Sequence, residues 1–326
     1  MPVVAVEVLS REPYPVKDAP TYERLDGTLT FAVDPASPYN APICDLHLAP
    51  LADGRVRFTA DFCLLHQTGE NATPRVIVDV CNRGRKIAVK DFNLGAATAV
   101  QRASDPGDGW LFGAEAAARQ GYNVLSVGWQ WDTYSSDSLL GLEAPPLTGA
   151  NGEPVPGQAS VEVYVNAPAK TWALASREHK PYTAVTEGKP GADAVLLVKD
   201  YEGGHETVVP RSEWEFGRQA DQTGSAGSIV FSGDVVPSNA HVYMESGFKP
   251  GKMYNCVYTA EAAILAGAGL LAVRDVACWL RSDDSSLNPL QKPAQYIYAY
   301  GNSQTGRMLR HYLNLKLVSI CSVSVV

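Results

Sequence analysis

The residue with the best setting for covalent chemistry is Ser303, in the stretch Tyr296–His311, YIYAYGNSQTGRMLRH. An aromatic and β-branched run ends at Gly301, and the serine follows two residues later. Helical spacing begins after Gly306, with Met308, Leu309, Tyr312 and Leu313. Strand, sharp turn and helix in that order are what a nucleophile elbow requires. Small residues beside the serine let the backbone take a strained φ/ψ, and the hydroxyl then stands clear of the sheet. The helix N-terminus favours the negative charge that develops on a substrate oxygen. The pattern G-x-S-x-G is met at Gly301 and Ser303, whereas Thr305 stands at its last position and glycine comes one later. A plain strand-to-helix turn capped by Ser303 would use the same residues.

A serine hydroxyl is a poor nucleophile without a base. The histidines are His47, His66, His179, His205, His241 and His311. His311 lies eight residues past Ser303, about 12 Å along a helix that rises ~1.5 Å per residue. It faces away from the turn. The other five precede the serine, and each histidine reads as a surface or packed side chain; Asp275 and Glu261 also precede it and do not fit the order serine, acid, histidine. Arg307 and Arg310 follow the serine and read as structural or solvent-facing.

Other candidates are weaker. Cys44, Cys63, Cys81, Cys256, Cys278 and Cys321 are scattered without C-x-x-C spacing, so buried free thiols are expected rather than metal ligands or disulfides. Asp105-Pro-Gly-Asp-Gly109 lacks the ligand spacing of a calcium loop and reads as a solvated turn. Gly267-Ala-Gly269-Leu-Leu-Ala272 imitates a dinucleotide fingerprint, but helix rather than strand precedes it. A close-packing turn of small residues is the better reading. No metal and no cofactor are expected.

The elements that must position Ser303 come from a chain of 326 residues, long enough for a sizeable core. Its net charge of −8 argues against nucleic acid or an anionic membrane as partner. The partner expected is a small-molecule substrate; oligomeric state is not readable. MPVVAVEVLSREPYPV has no signal-peptide pattern. No apolar run reaches the ~18 residues of a spanning helix, so the cytoplasm is the default location.

Ala41–Gln67 reads as a hairpin across Asp53-Gly54, with period-two alternation in Arg55–Leu64. Arg75–Cys81 reads as a central strand emptying into the polar loop Asn82-Arg83-Gly84-Arg85-Lys86. Trp110–Gln120 is expected to be a helix and Tyr122–Val127 a buried strand. Strand, helix, strand at this spacing implies a parallel sheet. From about 133 to 255 the pattern loosens into short strand-like pieces, among them VEVYVNA and AVLLVKD, as in an inserted strand-rich subdomain or lid. Helical periodicity returns over Tyr258–Leu280.

Several co-ordered segments resemble the uncharacterised α/β-hydrolase domain group: Asn82–Lys86 as its N-R-G-R-K loop, Gly128–Asp132 as its GWQWD segment, and Gly301–Arg307 as its elbow. Leu140–Pro145, Val209–Phe216, Gly247–Tyr254 and Leu270–Arg281 also resemble recurring segments of that group, and the likeness runs from about Val6 to Leu313. It implies an α/β-hydrolase fold, a mostly parallel sheet flanked by helices, carrying the insertion. It also implies that Ser303 attacks an ester-like carbonyl. The oxyanion hole would use the Gln304 N–H plus one from Arg83 or Gly84. Trp129 and Trp131 would wall an acyl pocket or pack beneath the insertion.

In that fold the acid and histidine follow the nucleophile on later loops, whereas only 23 residues follow Ser303, none of them an acid. The expectation is a C-terminally incomplete domain with impaired activity, its last strand left with an unpaired edge. The alternative is a non-catalytic hydrolase-like or binding protein.

Overall fold

The computed structural model describes residues 2–93, 110–112, 121–136, 138–176, 179–189, 192–221, 233–284, 286–317 and 324–325. They form two compact units, Met1–Pro145 with Leu265–Val326, and Pro146–Ile264. The sequence had suggested insertion boundaries near 133 and 255.

The first unit begins with β1 (Val3–Tyr14), β2 (Tyr22–Val33), β3 (Leu51–Ala52), β4 (Arg55–Gln67), β5 (Arg75–Val80), α1 (Ala88–Phe92), β6 (Asn123–Val127) and β7 (Leu142–Glu143). The second unit holds β8 (Gly157–Tyr164), β9 (Ala169–Ala173), β10 (Val195–Lys199), β11 (Thr207–Val209), β12 (Glu215–Gln219), β13 (Val235–Phe248) and β14 (Met253–Ala260). The chain then returns to the first unit with α2 (Ala268–Leu280), β15 (Tyr296–Tyr300), α3 (Gln304–Asn314) and β16 (Ser324–Val325).

The sheet of the first unit has the order β1-β2-β4-β6-β5-β15-β16, with β3 and β7 beside β4. Its β1–β2–β4 half is antiparallel and meets β6 antiparallel. Only β6, β5, β15 and β16 run parallel. The second unit is built from two antiparallel sheets, β11-β10-β14-β8 and β12-β13-β9, around Trp214, Phe216, Phe248, Tyr254 and Tyr258. The expected α/β-hydrolase fold, a mostly parallel sheet flanked by helices, is therefore corrected. The protein is strand-rich with mixed and antiparallel sheets, and three α-helices occur among the described residues. The physical reason lies in β1 and β2, long strands that pair along their whole length as a ribbon. β1 is mostly exposed and so carries no apolar alternation to betray it.

Other expectations change for similar reasons. Across Asp53-Gly54 only Leu51 and Ala52 pair with β4, while β2 is its partner from Tyr22 to Val33. Tyr258 belongs to β14, whose alternate residues are buried, and the helix begins at Ala268. Trp110–Phe112 is a short 3-10 turn; residues 113–120 of the expected helix and the Asp105–Gly109 loop lie outside the described residues. β16 pairs with β15 at Tyr298↔Ser324 and Ala299↔Val325, so the edge expected to be unpaired has a partner there.

Both faces of the sheet carry apolar layers. On one, α2 buries Leu271, Ala272, Val276, Trp279 and Leu280. Trp279 meets Phe62 edge-on at 5.8 Å and donates its indole N–H to the Leu287 carbonyl. On the other, Tyr22, Leu65, Ile77, Leu111, Phe112 and Val124 pack together. Full burial of one such side chain contributes about 2–3 kcal/mol.

Cys63, Cys81 and Cys256 are buried free thiols and Cys44 an exposed one. Burial pushes the Cys63 thiol up to about 12. Cys278 is disulfide-bonded, which corrects the expectation for that residue; Cys321 lies outside the described residues. No described helix is long and apolar enough to cross a membrane.

Candidate functional site

β5 and β15 are parallel neighbours, with Tyr300 opposite Asp79. From β5 the chain passes to β6 on one side, while β15 lies on the other. The strand order therefore reverses between them. Loops leaving the C-terminal ends at such a point diverge and open a crevice where ligands bind. These loops are the stretch after β5, Cys81–Lys86, and the turn after β15, Gly301–Ser303.

The first is a tight turn. Asn82 N–H donates to the Arg85 carbonyl at 2.9 Å, and Arg85 N–H donates back to the Asn82 carbonyl at 3.1 Å. Arg83 and Gly84 take φ of 51° and 78°, the two positive values a two-residue hairpin turn needs. A Cβ at Gly84 would lie 2.7 Å from Thr133 Cγ2. The Arg83 N–H donates to Gln130 Oε1 at 3.1 Å, whereas no acceptor among the described residues takes the Gly84 N–H.

Beneath this turn, buried Asp79 accepts from the Ile87 N–H at 2.9 Å and from Ser126 Oγ at 2.8 Å. These bonds hold the exit of the loop. Burial pushes the Asp79 carboxyl up to about 6, against hydrogen bonds from Ser126 and the backbone.

The second turn is closed by glycine and threonine. A Cβ at Gly301 would sit 2.8 Å from the carbonyl carbon and oxygen of Thr305, so no side chain fits there. A Cβ at Gly306 would be 3.2 Å from the Gly301 carbonyl oxygen. Thr305, buried, accepts from the Asn302 N–H at 2.9 Å and donates to the Asn302 carbonyl at 3.1 Å. Inside this clasp Ser303 is exposed, with φ 56° and ψ −111°. That conformation lies outside the regions open to L-residues, at a cost of about 1–3 kcal/mol. Its side chain makes no capping hydrogen bond, so the capped-turn alternative does not account for it. The N–H of Gln304, first residue of α3, has no acceptor among the described residues, and no acid stands in the first turn.

The two turns touch. Asn82 Nδ2 donates to the Asn302 carbonyl at 3.0 Å, across 220 residues of sequence. Ser303, Gln304, Gly301, Gly306, Arg83 and Gly84 thus come from two adjoining turns. Trp129 lies below them, its indole N–H donating to the Cys81 carbonyl at 2.8 Å. The Trp129 carbonyl is packed so closely on Gly269 that a Cβ there would overlap it, which explains the small residues opening α2. Trp129 is thus a brace between β5 and α2; Trp131 is half-buried.

No histidine is hydrogen-bonded to Ser303 among the described residues. His47 is exposed. His66 lies at the other end of the sheet, since its neighbour Leu65 pairs with Val124 near the start of β6. Burial lowers its pKa. His311, Arg307 and Arg310 are exposed on α3. His179, His205 and His241 belong to the second unit, where His241 Nδ1 is 2.9 Å from Ser238 Oγ. Asp275 is buried against Arg274 and Glu261 bonds Lys189.

Sequence reasoning missed Asp79, Gln130 and the reach of Asn82. The one local hint was a polar residue inside an otherwise apolar strand or between two tryptophans. No group of three or more His, Cys, Asp or Glu among the described residues could hold a metal ion.

Compared with known proteins, the chain matches no family profile, no curated protein and no solved structure.

Proposed function

We propose that the protein is a serine hydrolase acting on a carboxylic ester or related acyl substrate, with Ser303 as nucleophile. The observation that carries this reading is the strained, exposed Ser303 held between β15 and α3. A non-glycine residue kept in such a conformation calls for a reason, and presenting a hydroxyl at a strand-order reversal is one.

In this scheme Ser303 Oγ forms a bond to the substrate carbonyl carbon, and the carbonyl π electrons move to oxygen. The Gln304 and Gly84 N–H groups, which have no acceptor among the described residues, receive that oxyanion. The Arg83 N–H already serves Gln130 and is left out. Collapse expels the alkoxide, which takes up the proton released from the serine and leaves as the alcohol; water then adds to the acyl-serine carbonyl, a proton returns to Ser303 Oγ, and the acid departs. The serine proton must pass to a base, and turnover is slow where none is positioned.

An alkyl fluorophosphonate tests the reading. Mass spectrometry should locate one adduct on Ser303 and none in Ser303→Ala. A folded wild-type chain that takes up no label overturns it. The lack of a histidine bonded to Ser303 among the described residues favours a second reading, binding without turnover. Under it the unlabelled chain would still bind a trifluoromethyl ketone or simple ester reversibly in calorimetry.

A further inference from the structure

We infer that Asn82 is a positioning residue whose side-chain amide holds the two turns of the site in register. The assignment deepens the serine-nucleophile reading and rests on it. The donors proposed for the oxyanion, Gly84 N–H and Gln304 N–H, belong to turns that follow different strands. Their separation must hold to a fraction of an ångström for both to reach one oxygen. β-Sheet pairing sets it only as far as Asp79 and Tyr300, the last opposed residues of β5 and β15. Beyond them a direct bond is needed, and Asn82 supplies one.

The orientation of that amide follows from its partners. Asn302 offers a carbonyl oxygen, which can only accept, at 3.0 Å from Nδ2. The Arg83 guanidinium can only donate, and its Nη1 lies 3.1 Å from Oδ1. Turning the amide over would set oxygen against oxygen and N–H against N–H. Asn82 is itself anchored, because its main chain closes the turn with Arg85. The Arg83 N–H on Gln130 Oε1 ties the turn to the neighbouring loop, and the N–H of buried Gly84 has no acceptor among the described residues. The bonded residue on the other side, Asn302, immediately precedes Ser303 and is gripped by Thr305. The sequence Arg83, Asn82, Asn302, Ser303 is therefore one continuous connection from the loop to the nucleophile. Aspartate has the same shape and keeps the arginine contact, but it turns a carboxylate oxygen toward the Asn302 carbonyl.

Asn82→Asp and Asn82→Gln provide the test, with two readouts. In fluorophosphonate labelling, the maximal inactivation rate of Asn82→Asp should fall ~10–100-fold, while the concentration for half-maximal rate stays within about twofold, as expected when orientation rather than binding is lost. Asn82→Gln, which keeps the donor, should recover part of the rate. A purely structural role would lower the melting temperature and leave the rate per folded molecule unchanged, and that result overturns the assignment. Amide hydrogen exchange gives a readout independent of nucleophilicity. Protection of residues 301–306 should fall in Asn82→Asp, and unchanged protection there overturns the clamp. Should the wild type fail to label while exchange responds, the clamp stands and the hydrolase reading falls.

Discussion

Arg83 and Ser303 are both non-glycine residues with positive φ, 51° and 56°, placed just after neighbouring parallel strands, yet they are held there differently. Around Arg83 every local bond explains the conformation: the turn closes both ways between Asn82 and Arg85, and the Arg83 N–H reaches Gln130. A two-residue hairpin turn demands positive φ, so the cost is met by its own hydrogen bonds. Around Ser303 the clasp joins Asn302 to Thr305; the serine's carbonyl accepts the Arg307 N–H at 3.1 Å, while its side chain makes no capping bond. Positive φ alone is therefore weak evidence of a site. It gains meaning where neighbouring bonds enforce the conformation but the side chain makes no capping bond of its own.

The largest effect is expected at the turn after β15. Gly301→Val places side-chain atoms against the Thr305 backbone, where even a Cβ would lie at 2.8 Å. Destabilisation of about 3 kcal/mol is expected from such overpacking, read from urea unfolding; a loss below about 1 kcal/mol would mean that the turn yields.

On the loop side, Asp79 provides a titration. Its carboxyl is raised from an ordinary 3.8 to about 6 by burial. Between those values the folded protein holds a proton that the unfolded chain releases, so this group's contribution to stability declines as pH rises from about 4 to about 6 and is constant above. The total change is on the order of 3 kcal/mol. Stability profiles of wild type and Asp79→Asn should differ by that slope, and parallel profiles would refute it.

The contrast itself is sharpened by glycine. Ser303→Gly should stabilise by about 1 kcal/mol, because glycine adopts positive φ freely, and it should lose all fluorophosphonate labelling. Arg83→Gly should shift stability by only a few tenths of a kcal/mol. Equal responses at the two positions would erase the distinction.

Much of this was legible locally. β5, β6 and β15 lie within a residue or so of the runs Arg75–Cys81, Tyr122–Val127 and Tyr296–Tyr300, because continuous apolar or aromatic segments bounded by Gly and polar residues carry their own signal. The turn at Ser303 was visible for the same reason: Gly301, Gly306 and the change of period are neighbours in the chain. The fold class was not visible. Val3–Tyr14 and Tyr22–Val33 became an antiparallel ribbon against β4, which changed the character of the sheet.

By itself, then, the sequence determined where the chain must turn and which residue stands at the apex, since φ/ψ preference and hydrophobic period act over a few residues. Only the tertiary structure decided that Arg83 gives its N–H to Gln130, and that Asn82 reaches Asn302. Those partners are 47 and 220 residues apart, and sheet order, which no local preference encodes, brings them together.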